Sequence, residues 1–379
     1  MAGGTSQNTG TARPLRVRRE NYGANNLLPS LLTSMTAALR LPPDEASSFE
    51  IHSTLRCPVD LQPLAWEESQ NVMTSKDGTR RYPIVDGIPC LFAPNQWPNG
   101  RSDVTDTVKA FYEKTPFPNY DDLDSRESLR AKAQRGVFAR LLDRQLPRSA
   151  KILEAGCGTG QLSNFLGMGW DRTVIGADLC LNSLRLAKAF RDRCSIENAH
   201  FVQMNLFRPP FADETFDVII SNGVLHHTSD PKGGFVQLAR KLKPGGHFII
   251  GLYNWLGRLP TLWRRAFIEI FGDGWARLDS RLRGDGLNKG RRSAWFMDQY
   301  RHPHESKHSI DEVAGWFSEC GIDTGLTIPP VGEQFTEETQ LFAPRPPSSR
   351  LDRFATELEM LLKGGTDGGL YLVIGRRRI

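Results

Sequence analysis

Apolar residues in the middle of the chain fall into short runs, separated by stretches whose apolar positions recur every three or four residues. The runs AKILEA, TVIGADL, AHFVQMNL, FDVIISNG and GGHFIIGLY predict strands, and the amphipathic stretches between them predict helices. This alternation, from about 104 to 252, implies parallel strands with helices on both faces. Ahead of it, LRCPVD and RRYPIVDGIPCLF are β-like runs broken by Pro, Asp and Gly, which predicts a small β module over about 51–98. Residues 1–50 read as a mildly basic tail plus one helix, LLPSLLTSMTAALRL.

Beyond 253 the pattern is less regular. An insertion at about 253–308 is rich in Trp, Arg and Gly, and SIDEVAGWFSECG then predicts a helix stopped by Gly321. A Pro-rich segment spans about 328–350, a helix is expected near 351–363, and GLYLVIG reads as a terminal strand. The expected organisation is a tail, the β module, and one α/β domain over 104–379.

Composition narrows the class. No run approaches the ~20 apolar residues needed to cross a bilayer, and the N-terminus lacks the apolar core of a secretory signal. The cysteines, Cys57, Cys90, Cys157, Cys180, Cys194 and Cys320, are scattered without a framework, which suits reduced thiols and a cytoplasmic location. A formal charge of +5, from 48 basic against 43 acidic residues, is too small an excess to announce a nucleic-acid partner.

Chemistry enters at KILEAGCGTGQLSNFL, where a strand runs into Gly156, Gly158 and Gly160 and then a helix. Such a turn sets backbone N–H groups and the positive helix end against a polar ligand. The third glycine falls one residue early for a dinucleotide fingerprint, and no Lys-Ser/Thr pair follows to make a P-loop. Glu154 completes E-x-G-x-G-x-G, and VIGADL ends its strand on Asp178, a carboxylate able to accept from both hydroxyls of a ribose.

With FDVIISNGVLHHTSDP and LKPGG following in order, the chain from about Phe111 to Tyr253 resembles the class I S-adenosylmethionine-dependent methyltransferases. The resemblance implies an α/β, Rossmann-like sheet, S-adenosyl-L-methionine as cofactor, and methyl transfer by direct in-line displacement. It carries cofactor-binding roles to Glu154, Gly156, Cys157, Gly158 and Gly160, to Asp178 with Leu179, to Asn205 with Leu206, and to Asn222 with Gly223. Asn205 stands where the family has an acidic residue near the adenine amino group, and its side-chain carbonyl can still accept. The aromatic and proline segment VKAFYEKTPFPNYDD resembles a lid before the cofactor domain and adds Tyr112.

For proton transfer, His226 and His227 end the loop after the fourth strand, and DQYRHPHESKHS offers Tyr300, His302 and His304 over an acceptor pocket. The module with CPVD resembles a Trm112-like, zinc-ribbon-derived domain. Cys57, Asp60 and Cys90 fall short of a closed zinc site, so no metal is expected.

The Asn/Asp-Pro-Pro-Tyr loop that grips nucleobase amino groups is absent, with Ser221-Asn222-Gly223-Val224 in its place. A small-molecule or lipid-like acceptor, methylated at O or N, is the leading expectation. The aromatic insertion LYNWLGRLPTLWRRAFIEIFGDGW would enclose an apolar ligand or lie against another subunit in a homo-oligomer. RNA modification is the competing enzyme reading, with RRYP, LWRR and KGRRSAW as phosphate contacts. A noncatalytic binding or scaffold protein is the reading from a different class.

Overall fold

Neighbouring residues on the central strands point to opposite sides of one sheet, as the period of two requires. Ile152, Val174, Val218 and Ile249 pack on one side with Leu142, Phe165, Leu184 and Phe190. Leu153, Ile175, Ile219, Phe248 and Ile250 pack on the other with Phe235, Val313 and Phe317. Both faces are dry, which is why these strands read as unbroken apolar runs. Each fully buried aromatic or aliphatic side chain contributes about 1.5–3 kcal/mol.

The computed structural model describes residues 51–97, 103–118, 120, 124–274, 279, 282, 289–362 and 368–379, with 289 and 291 described by backbone only. The helix expected within 1–50 lies outside the described residues. The strands are β1 Leu64–Glu67, β2 Val72–Ser75, β3 Arg81–Val85, β4 Ile88–Leu91, β5 Lys151–Ala155, β6 Thr173–Asp178, β7 Ala199–Met204, β8 Phe216–Asn222, β9 Leu242–Tyr253, β10 Ile322–Ile328 and β11 Leu370–Arg377. They form one sheet in the order β1-β2-β3-β4-β7-β6-β5-β8-β9-β11-β10. From β4 to β9 all neighbours are parallel, and β11 and β10 close the far edge antiparallel. The strand order reverses direction between β5 and β8, where an open α/β sheet makes its ligand crevice.

The helices are α1 Thr105–Lys114, α2 Arg126–Arg135, α3 Val137–Gln145, α4 Gln161–Gly167, α5 Leu181–Arg193, α6 Pro231–Ala239, α7 Trp255–Phe271, α8 Lys289–Tyr300, α9 Ile310–Glu319 and α10 Arg350–Leu362. Local chemistry sets their ends. Ser309 caps α9 by accepting from the Glu312 N–H, and Gly321 follows with φ +69°. Asn254 caps α7 by accepting from Leu256 and Gly257. Among the described residues no helix is long and apolar enough to cross a membrane.

The N-terminal β module joins the main sheet. β4 pairs parallel with β7, Cys90 opposite Gln203 and Leu91 opposite Met204. Leu55, Met73, Ile84 and Leu91 share one apolar cluster with Met204 and Phe211. The module therefore builds the edge of the sheet beside the cofactor strands.

The aromatic insertion does not wrap a ligand along its length. On α7, Trp263, Phe267, Ile270 and Phe271 are exposed, and so are Leu351, Phe354 and Leu362 on the neighbouring α10.

Candidate active site

A cleft of about 400 Å³ opens at the carboxyl ends of β5, β6 and β8 and runs on between α1 and α8. One end holds the glycine turn and Asp178. The other holds Tyr112, His227, Tyr253, Trp295, Asp298 and Gln299.

At the first end, Asp178 closes β6 and accepts from the Gly158 and Cys180 N–H groups, each at 2.8 Å. Two of its lone pairs are so used, and the others are left for a ligand's hydroxyls. Burial raises the Asp178 pKa and lifts Glu154 to about 7 despite the hydrogen bond from Ser163. Cys157, Leu179, Leu206, Asn222 and Gly223 also line this end. Gly223, with φ +76°, has open space where a side chain would begin, so the backbone there forms a cradle. A ribose-bearing cofactor fits this lining through the spare lone pairs of a carboxylate for the hydroxyls and an open glycine, while the N–H groups of Gly156, Cys157, Gly158 and Gly160 are taken up by the Ala177 and Cys157 carbonyls and by Asp178.

The three turn glycines are required mainly by the protein's own packing. A Cβ on Gly156 would strike Val224, and one on Gly158 would strike the Phe117 carbonyl oxygen. Gly160, expected to bind cofactor, stands outside the cleft lining. It takes a left-handed conformation at the start of α4, and a Cβ there would meet Ala187 and Phe201.

Asn205 also departs from its expected role. Its amide donates to the Ala93 carbonyl at 2.9 Å and to Asn95 at 2.7 Å, while its Oδ1 accepts from the Phe207 N–H at 3.1 Å. The side chain ties the β module to the end of β7 and stands outside the cleft lining.

At the second end, the expected catalytic side chains divide sharply. His227 lines the cleft. Its Nδ1 donates to the His304 carbonyl at 2.8 Å, so its Nε2 lone pair receives the His226 Nε2–H at 3.1 Å. His226 Nδ1 is left buried without a partner. The His302 ring lies 3.6 Å from the His227 ring, centre to centre, and its Nδ1 meets the His304 carbonyl at 2.6 Å. His304 reaches the Thr228 carbonyl at 3.1 Å. Tyr300 turns away altogether and donates to Asp279 at 3.0 Å beside Ile268 and Leu282. The loop thus braces His227, and neither Tyr300, His302, His304 nor His226 lines the cleft. Burial pushes His227 down to about 4 and His302 to about 3, so both rings are neutral near pH 7.

Sequence reasoning missed Trp295, Asp298, Gln299 and Tyr253. The first three sit at i, i+3 and i+4 on one face of α8, the spacing that puts helical residues side by side. Tyr112 joins this end, for its hydroxyl donates to Asp298 at 3.0 Å. Gln299 is fully committed. Its Nε2 donates to Asp298 at 2.9 Å and to the Tyr253 hydroxyl at 2.8 Å, and its Oε1 accepts from Arg258 at 2.6 Å. Arg258, fully buried, is paired in turn with the largely covered Glu305 carboxylate at 2.6 Å and lies over the Tyr253 ring at 3.7 Å.

In the β module, Arg80 stands where a metal would be held. Its guanidinium is 2.6 Å from Asp60 and 3.9 Å from the Cys57 sulfur, and the Tyr82 hydroxyl is 3.4 Å from that sulfur. Cys90 Sγ faces the Ile88 carbonyl. A cation already occupies the donor set, so these residues do not fit zinc.

Of the basic clusters expected as phosphate contacts, RRYP and LWRR are engaged with the chain itself, and the Lys289 and Arg291 side chains of KGRRSAW lie outside the described residues. Arg80 pairs with Asp60, Arg81 with Gln70 and Glu67, Arg265 with Glu269, and Arg264 with the Pro260 carbonyl. A second groove of about 700 Å³ between α9, β10 and β11 is lined by Arg345, Arg353 and Arg378. These bind Glu333, Asp311 and Asp323, away from the strand ends that form the cleft.

The family described as "Methyltransferase domain" matches residues 153–250, and "Trm112p-like protein" matches 48–87. An uncharacterized protein of Synechococcus is 28% identical over 195 residues, covering 45% of this chain and 47% of that protein. Phosphoethanolamine N-methyltransferase 3 of Arabidopsis thaliana is 34% identical over 126 residues, covering 33% of this chain and 25% of that one. The chain thus spans about half the length of the first relative and a quarter of the second. The complex of the Haloferax volcanii Trm112 methyltransferase activator with a putative methyltransferase has a TM-score of 0.40 at 15% identity, over 66% of this chain and 98% of that one. With Glu154 on β5, the glycine turn that follows it and Asp178 on β6, residues 153–250 form an S-adenosylmethionine-dependent methyltransferase domain behind a Trm112-like module at 48–87.

Proposed function

We propose that this protein transfers a methyl group from S-adenosylmethionine to a small molecule held between α1 and α8. One observation carries the reading. The cleft that begins at Asp178 and the glycine turn continues to Tyr112, His227, Tyr253 and Asp298, so one cleft sets an acceptor end beside the cofactor end. When bound, the cofactor supplies an electrophilic methyl group on a positively charged sulfur.

The protein's part is positional. Asp178, itself oriented by the Gly158 and Cys180 N–H groups, holds the ribose end. Phe117 and Pro118 close over the turn, with the Pro118 carbonyl accepting from Thr159. Tyr112, Phe117, Tyr253 and Trp295 wall the acceptor end. Alignment of this kind supplies ~7–11 kcal/mol of barrier reduction at best. The names of plant relatives that act on phosphoethanolamine support a small acceptor. The self-paired RRYP and LWRR arginines leave RNA the weaker reading.

The test is incubation with S-adenosylmethionine labelled in its methyl carbon, together with the dialysable fraction of a cell extract. Label is expected in a small molecule. Label found only in RNA would replace the acceptor class, and absence of any transfer would favour the binding-protein reading.

A further inference from the structure

The acceptor end of the cleft is built around a carboxyl group, Asp298. Asp298 is buried, and what remains of its surface faces the cavity. Each oxygen takes one neutral donor, Tyr112 on Oδ1 and Gln299 on Oδ2. A carboxylate offers about four lone-pair sites, so capacity remains on both oxygens. Neutral donors orient a carboxylate but do not cancel its charge. Arg258, which acts on Asp298 through space, is already neutralised by Glu305. Among the described residues Asp298 makes no ion pair, and a buried carboxylate in that position is costly unless something supplies the opposite sign.

The walls around it suit a cation as well. Trp295, Tyr112 and Phe117 line the space with Asp298, and aromatic faces attract ammonium groups by about 0.5–2 kcal/mol. Tyr253 accepts from Gln299, which leaves its own proton available to a ligand lone pair. A phosphate or carboxylate in this position would be repelled by Asp298.

We propose that the acceptor is an amine, bound as its ammonium by the Asp298 carboxylate against Trp295 and Tyr112, and that Asp298 takes the proton that frees the nitrogen lone pair. This assignment rests on the methyl-transfer reading above. The balance is simple. The N–H bond breaks and its proton passes to an Asp298 oxygen. The nitrogen lone pair then forms the N–C bond while the S–C bond breaks, its electron pair staying on sulfur to give S-adenosylhomocysteine. The product leaves as the methylated ammonium, and the Asp298 acid returns its proton to water, so one proton is released per transfer. Burial raises the Asp298 pKa, which favours this proton uptake.

The experiment is calorimetry on the full chain loaded with S-adenosylhomocysteine. The probes are ethanolamine, benzylamine and 2-phenylethylamine, each against its alcohol isostere: ethylene glycol, benzyl alcohol and 2-phenylethanol. At least one amine is expected to bind tenfold or more tightly than its isostere. That preference should vanish in Asp298→Asn and shrink in Tyr112→Phe, while S-adenosylhomocysteine affinity stays within twofold in both variants, which reports an intact fold. Equal binding of alcohols and amines, no amine binding at all, or an amine preference that survives Asp298→Asn would overturn the proposal. If Asp298→Asn weakens S-adenosylmethionine but not S-adenosylhomocysteine, the carboxylate serves the cofactor's sulfonium and the amine assignment falls, with the methyltransferase reading intact. If the wild type binds neither form of the cofactor, that underlying reading fails instead.

Discussion

The Tyr112 hydroxyl donates to Asp298 at 3.0 Å across 186 positions of sequence, joining α1 to α8. The bond binds the lid segment to the acceptor wall, and both residues line the cleft. In Tyr112→Phe a buried carboxylate loses a donor, so a stability loss of about 1–3 kcal/mol is expected. Urea unfolding checks it. In a double-mutant cycle with Asp298→Asn, the two changes should couple by about 1 kcal/mol or more, since they share one bond.

The Phe117 carbonyl oxygen occupies the space into which a Gly158 side chain would grow. Gly158→Ala should lift the Phe117–Pro118 segment off the turn, and the positive φ adds about 1–2 kcal/mol of strain. Cofactor affinity is expected to fall roughly tenfold, the equivalent of about 1.4 kcal/mol. Limited trypsin digestion should cut faster after Lys114 than in the wild type.

How far the sequence disclosed this arrangement depended on distance along the chain. The strands around Leu153, Ile175 and Ile219 were legible because burial on both faces leaves an apolar run that nothing else explains. Asp178 was legible because it ends such a run beside a glycine turn. Asn205 misled because an amide can accept or donate, and only the pairing of β4 with β7, more than a hundred residues apart, brings Ala93 and Asn95 to it. In DQYRHPH the conspicuous histidines attracted attention, while helical phase put Asp298 and Gln299 into the cleft and turned Tyr300 away. Periodicity in AWFMDQY carried that information, but the side facing the ligand depends on what packs behind Tyr300.

Acid should destabilise the protein through buried neutral imidazoles. Burial pushes His200, His227 and His302 from 6.5 to about 3, 4 and 3. Below pH 6.5 the unfolded chain protonates these rings and the folded one does not. The unfolded state then binds more protons, so stability falls as pH drops from 6.5 towards 4 and is flat in this respect above 7. At pH 5 each ring costs the fold about 2 kcal/mol, from 1.36 kcal/mol per pKa unit. The urea midpoint should drop clearly between pH 7.5 and pH 5, and less steeply in His302→Gln. A midpoint constant over that range would contradict the neutral cluster.

The Arg80 guanidinium between Asp60 and Cys57 makes a metal requirement unexpected. Elemental analysis of protein purified without chelators should find well under one zinc per chain, with Cys57→Ser making no difference. Arg80→Ala should leave the urea midpoint nearly unchanged, because the Arg80–Asp60 pair is exposed to solvent. Stoichiometric zinc that Cys57→Ser removes would show that the arginine gives way to a metal.

The most direct measurement is calorimetric titration of S-adenosylmethionine into the full chain and into Asp178→Ala. One-to-one binding is expected for the wild type. The variant should lose roughly 10–100-fold in affinity, because hydrogen bonds to a charged group are worth about 1.5–3 kcal/mol. Unchanged affinity in Asp178→Ala, or tight binding of NAD with none of S-adenosylmethionine, would contradict the assignment of this cleft.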